Sequence, residues 1–167
     1  FARSGRPGTA LLDICYDVQQ AQIDPSSLRS YEPELVYSRD FHNLDELIDK
    51  TIPYLEQARR PVVIVGAGVR LADSVRAAYD FVEKLGFPVA PTWGAMDFIP
   101  YNHHLMISPF GITAHRSGNF AVQNADLILA LGTRLDTHEI GPKAHTFARD
   151  AKKIVVDIDE AELDKYE

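Results

Sequence analysis

The chain carries an unbroken run of β-branched residues, Val62-Val63-Ile64-Val65, followed at once by glycine, and no other feature constrains its fold so tightly. So short a run is no helix, and a strand with one wet face would alternate apolar with polar side chains. A continuous apolar run marks a strand covered on both faces, as in a parallel sheet. Asp126-Leu127-Ile128-Leu129-Ala130-Leu131 and Lys153-Ile154-Val155-Val156-Asp157-Ile158 share that character, and Phe87-Pro88-Val89-Ala90 reads as a shorter strand. A helical period precedes each of the first three strands in chain order. The alternation predicts an α/β fold, a Rossmann-like open parallel sheet with right-handed crossovers and helices on both faces.

The helices have their own signals. Asn43 with Glu46 three residues on is a capping-box pattern, and Leu44, Leu47, Ile48, Ile52 and Leu55 follow with helical spacing. Pro53 inside that pattern predicts a kink or a restart. Leu71, Val75, Ala78, Val82 and Leu85 predict a second helix, closed by Gly86 with Pro88 beyond it. A third is expected over 115–124. Residues 1–20 differ: the turn cluster Gly5-Arg6-Pro7-Gly8 leads into Ala10-Leu11-Leu12-Asp13-Ile14, which reads as one strand. Residues 21–42, with Pro25, Ser26, Ser27 and Pro33 and no sustained period, read as a linker.

Composition excludes several functions. The net charge of -7 and the absence of any basic run longer than the Arg59-Arg60 pair argue against nucleic-acid binding, which needs cations to displace counterions from phosphates. One cysteine, Cys15, allows no internal disulfide and no cysteine-based zinc site, so a cytoplasmic protein is expected. No apolar run approaches the ~18 residues of a membrane helix. A start at Phe1-Ala2 amid polar sequence is the start expected of a cut piece.

In an open parallel sheet, ligands bind beyond the carboxyl ends of the strands. There stand Gly66-Ala67-Gly68, then Pro91-Thr92-Trp93-Gly94, then Gly132-Thr133-Arg134, and finally Asp157-Ile158-Asp159. A glycine often does no more than end a strand, but glycine after three successive strands suits one long ligand lying close to the backbone. The usual dinucleotide fingerprint is excluded: Leu71 stands at its third glycine position, and Pro91-Thr92 stand where an acidic residue would bind ribose. Walker-type loops and nucleophile elbows are absent as well. The adjacent pair His103-His104 is expected to point apart on extended chain, and no histidine spacing matches a metal site. No nucleophile, base and orienting group occur together, so the chain reads as a binding platform.

The segments Arg59-Arg60-Pro61-Val62-Val63-Ile64-Val65-Gly66-Ala67-Gly68, Leu85-Gly86-Phe87-Pro88-Val89, Thr92-Trp93-Gly94, 118–136 and Val155-Val156-Asp157-Ile158-Asp159 occur in that order. Together they resemble the central domain of thiamine-diphosphate-dependent enzymes of the acetolactate synthase, pyruvate oxidase and benzoylformate decarboxylase group. The likeness spans roughly 43–165, and Gly5 to Gln19 resembles the end of the preceding pyrimidine-binding domain. The resemblance implies a parent enzyme, a homodimer or homotetramer, that uses thiamine diphosphate and magnesium to decarboxylate a 2-keto acid and join or protonate the remainder. The activating glutamate would precede Phe1 and the metal motif Gly-Asp-Gly would follow Glu167, so this piece alone is expected to bind no thiamine diphosphate and to be inactive.

The resemblance also assigns a nucleotide cradle for FAD or an adenine nucleotide. Its contacts would be Gly66, Ala67 and Gly68; Thr92, Trp93 and Gly94; Gly111, Ile112 and Thr113; Gly132, Thr133 and Arg134; and Asp157 with Ile158. Two departures bear on the flavin: Ile112-Thr113-Ala114 replaces the Met-His-Gly usual in acetolactate synthases, and Asp136-Thr137-His138 replaces Asp-Asp-Arg. A scaffold with a vestigial cleft is the main alternative. A sirtuin-like deacylase shares the Gly-Ala-Gly opening but needs four zinc-binding cysteines and a His-Gly pair that this chain lacks.

Overall fold

A computed structural model describes residues 2, 8–30 and 43–164, so Gly5-Arg6-Pro7, Pro33 and His42 lie outside the described residues. The chain divides into two compact units, Phe1–Phe41 and His42–Glu167. In the first, α1 (Tyr16–Gln20) is followed by a 3₁₀ turn at Pro25–Ser27, where the Asp24 carboxylate accepts the Ser26 N–H at 3.0 Å. The strand expected over 10–14 is absent. Among the described residues they pair with no strand, and Leu11 and Leu12 are 92% and 83% exposed. An apolar run becomes a strand only where a partner edge completes its backbone hydrogen bonds.

The second unit runs α2 (Leu44–Gln57), β1 (Pro61–Val65), α3 (Gly68–Leu71), α4 (Val75–Leu85), β2 (Val89–Pro91), α5 (Arg116–Gln123), β3 (Leu127–Leu131), α6 (Thr137–Ile140), β4 (Lys152–Val156) and α7 (Glu160–Asp164). The four strands form one all-parallel sheet in the order β2-β1-β3-β4. From β1 the chain thus steps one way to β2 and later crosses back over β1 to β3. Right-handed crossovers in opposite directions use opposite faces of a sheet, and two separate cores result. Val63, Val65, Val89 and Leu129 pack with Val82 of α4 and Leu55 of α2 on one face; Val62, Ile64, Ile128 and Ala130 pack with Val122 of α5 and Ile140 of α6 on the other. Both faces of β1 are buried, as its unbroken apolar run requires.

Several local expectations are corrected. Asn43 precedes α2, but its side chain makes no cap bond; Pro53 lies inside α2 without ending it. The helix expected over 71–85 is two, parted at Asp73, which has φ +52°. Gly86 closes α4 with φ +66°, as its position predicts. Beyond β2, Met106 forms a parallel bridge with Val89, so residues 105–107 shield the sheet's edge there.

Candidate functional site

Strand register creates the site. Val65 stands opposite both Pro91 and Leu131, and Leu131 opposite Val156, so all four strands end abreast. The residues that follow, Thr92, Gly66, Gly132 and Asp157, therefore leave the sheet side by side at one edge. The chain's change of direction falls between β1 and β3, where open α/β sheets form their ligand crevice.

The inner row of this edge is engaged within the protein. Gly66 N–H donates to the Leu131 carbonyl at 2.9 Å, Thr92 N–H to Val65 at 2.9 Å, Gly132 N–H to Val156 at 2.9 Å and Gly68 N–H to Gly132 at 2.8 Å. The glycines answer a demand that sequence reasoning assigned to a ligand. A Cβ on Gly68 would lie 2.7 Å from the Gly132 carbonyl oxygen, and one on Gly132 would lie 2.6 Å from the Val69 nitrogen. Gly66 also abuts Gly132 and Thr133, and a Cβ on Gly94 would come 2.8 Å from that of Ala67. The turns after β1 and β3 thus fit into each other backbone to backbone, the turn after β2 packs on the Ala67 side chain, and glycine is the residue without a Cβ to prevent either.

The outer row faces solvent. Trp93 is 55% exposed, Ile112 68% and Ile158 44%, with Ala67, Gly94, Thr113 and Arg134 also exposed. Thr92, Gly111 and Thr133 are buried. Gly111, Ile112 and Thr113 belong to no strand end, yet they reach the same edge. Asn119 clamps Gly111 through two hydrogen bonds, at 2.8 and 3.0 Å, and Ile112 N–H donates to His138 of α6 at 2.9 Å. Asp157 accepts the Asp159 N–H at 2.9 Å, which turns its carboxylate toward the start of α7. Arg134 lies 3.8 Å from Asp136, and both border an open groove of about 510 Å³ with Thr137, Ile140, Gly141 and Glu162.

One functional candidate escaped sequence reasoning. Thr133 Oγ1 donates to Glu139 at 3.0 Å and accepts the Leu135 N–H at 3.2 Å, so a carboxyl sits beneath the edge. Burial pushes Glu139 above the usual carboxylate range, Asp136 adds to that, and the Thr133 hydrogen bond opposes it. In a one-turn helix no periodicity distinguishes an inward glutamate. The histidine pair is a correction too. His103 and His104 lie in a turn, not on extended chain, and their rings approach at 4.6 Å between centroids.

A doubly covered parallel sheet whose aligned carboxyl edge brackets a switch point defines a Rossmann-like platform domain. The family model described as thiamine pyrophosphate enzyme, central domain, matches residues 48–167, and the chain belongs to that family. It is 35% identical over 164 residues to glyoxylate carboligase of Escherichia coli O157:H7, covering 96% of this chain and 27% of the relative. It is 36% identical over 171 residues to the acetolactate synthase large subunit of Corynebacterium glutamicum, covering 99% and 26%. It is 34% identical over 170 residues to acetolactate synthase 2, chloroplastic, of Nicotiana tabacum, covering 99% and 24%. The family resemblance read from the motifs is borne out, and the chain spans about a quarter of these relatives' length.

Proposed function

We propose that the chain is the middle domain of a thiamine-diphosphate-dependent enzyme that decarboxylates a 2-keto acid and joins or protonates the remainder. Its own part is to cradle an elongated nucleotide, FAD or an ADP-type ligand, along the carboxyl edge of the sheet. Thiamine diphosphate and magnesium, which supply the decarboxylation chemistry when bound, would be held by flanking domains of a homodimer or homotetramer. A cytoplasmic setting belongs to the same proposal, supported by the single cysteine, which allows no internal disulfide. Among the described residues no helix is long and apolar enough to cross a membrane.

The observation that carries the proposal is the register that sets Thr92, Gly66, Gly132 and Asp157 abreast, with Arg134 exposed beside them. The residues fit a nucleotide in a particular way. Because the Gly66, Gly68, Thr92 and Gly132 amides are engaged, phosphate would rest on the Arg134 guanidinium, which matches its geometry. Trp93, Ile112 and Ile158 would offer apolar surface to rings or ribityl chain. The same engaged amides favour a second reading, a scaffold whose cleft is vestigial and whose role is subunit contact.

Calorimetric titration with FAD, ADP and coenzyme A separates the two. Saturable one-to-one heat with FAD or ADP, weakened at least about tenfold by Arg134→Ala through loss of a charge-assisted contact, is the expected result. No heat with any of the three would remove the cradle and leave the scaffold.

A further inference from the structure

Away from the sheet's carboxyl edge, Glu83 of α4 meets His103 and His104 of the turn that precedes the 105–107 edge segment. One potential ligand atom from each lies within 4.8 Å of the other two. His103 Nε2 is 3.1 Å from Glu83 Oε1 and 3.3 Å from the Tyr79 hydroxyl. The turn is well held: His103 N–H donates to Pro100 at 2.9 Å, and Met106 N–H donates to His103 at 3.0 Å. The His103 side chain is only 13% exposed while Glu83 is 38% exposed, so the cluster has a protein floor and an open side.

We propose that Glu83, His103 and His104 form a three-ligand site for a zinc-class divalent cation, with water as the fourth ligand. Two imidazoles and one carboxylate suit borderline ions, whereas calcium and magnesium prefer oxygen alone. Ligand bonds of about 2.0–2.2 Å put tetrahedral donors roughly 3.3 Å apart. The His103–Glu83 pair already has that spacing, and exposed His104 closes the set by rotating its own side chain.

The present tautomer supplies a specific signature. His103 Nδ1 accepts the Leu105 N–H at 3.3 Å, so in the neutral ring the proton sits on Nε2, toward Glu83. A cation taking Nε2 replaces that proton, which passes through solvent to Nδ1, and the Leu105 N–H loses its acceptor. The Nδ1–H then faces the Leu105 N–H donor to donor, so that amide must shift. Occupancy ties α4 to the turn beyond β2.

The test titrates the chain with zinc chloride by calorimetry and with cobalt(II) by absorbance, while following the Leu105 amide resonance. One equivalent is expected to bind, with the intense visible bands of tetrahedral cobalt and a shift of the Leu105 amide complete at one equivalent. His104→Ala and Glu83→Gln should each weaken binding at least about tenfold; His145→Ala, outside the cluster, should not. The side chains replaced are exposed, and far-ultraviolet circular dichroism checks that the variants keep the fold. The site is overturned if no stoichiometric binding occurs, if His104→Ala binds as tightly as the unaltered chain, or if the Leu105 amide stays in place at saturation.

Discussion

Gly132 and Gly86 both have φ near +60°, at +60° and +66°, yet their neighbours differ. A Cβ on Gly132 meets backbone of Gly68 and Val69 from 2.6 Å, while one on Gly86 meets nothing within 4 Å. Gly86→Ala should therefore cost only the left-handed backbone penalty, about 1–2 kcal/mol. Gly132→Ala adds displacement of a packed turn and should cost more, about 3 kcal/mol or above; urea unfolding of the two variants measures the difference. Glu139 offers a charge test beside it. Burial raises its folded pKa above the unfolded value of about 4.3. The fold thus favours the protonated form, and stability falls as pH climbs from the unfolded pKa through the folded one. Glu139→Gln, neutral throughout, should gain on the unaltered chain across that window. Unfolding midpoints at pH 4 and pH 7.5 check it, and an equal difference at both would refute the assignment.

At the level of elements, β1 and β3 are joined by a device at their amino ends as well as by their ladder. The Asp126 carboxylate accepts the Arg59 and Arg60 N–H groups, each at 2.8 Å, and Lys152 N–H donates to the Asp126 carbonyl at 2.9 Å. Burial would raise the Asp126 carboxyl, but the two N–H groups together outweigh it and hold it below the usual range. With a depressed folded pKa, its stabilisation is complete above the unfolded value of about 3.9 and disappears as pH falls through the folded value. Asp126→Ala should lose about 1–2 kcal/mol at pH 7 through two charge-assisted bonds. Unfolding curves of the variant and the unaltered chain should converge in acid. Helix breaks show a limit of pattern reading at this scale. Leu71 and Val75 keep helical spacing across Asp73, and periodicity alone cannot register a single residue that turns left-handed between them.

For the whole molecule, burial is strongly uneven. Val63, Ile64 and Val65 have no exposed surface, whereas Leu11 and Leu12 are almost fully exposed. Hydrogen exchange should follow: amides of β1 and β3 slowest, near the global unfolding limit, and those of residues 9–14 fast. Slow exchange at Leu11 and Leu12 in a verified monomer would contradict this, because it requires strand partners that the described residues do not supply. The same contrast explains a sequence expectation that did not hold. Ala10-Leu11-Leu12-Asp13-Ile14 has the composition of a strand, but composition cannot provide the neighbouring edge.

Sequence alone determined the fold class, the positions of all four strands in the sheet to within a residue or two, the family, and the strand-end turns that could meet a ligand. Those properties rest on local apolar periodicity and on residues contiguous in the chain. Tertiary structure decided the strand order, the register that sets four strand ends abreast, the use of Gly66, Gly68 and Gly132 for packing turn against turn, and the meeting of Glu83 with His103 and His104. Each of these depends on a distance between residues far apart in sequence, and such distances are fixed only when the sheet closes.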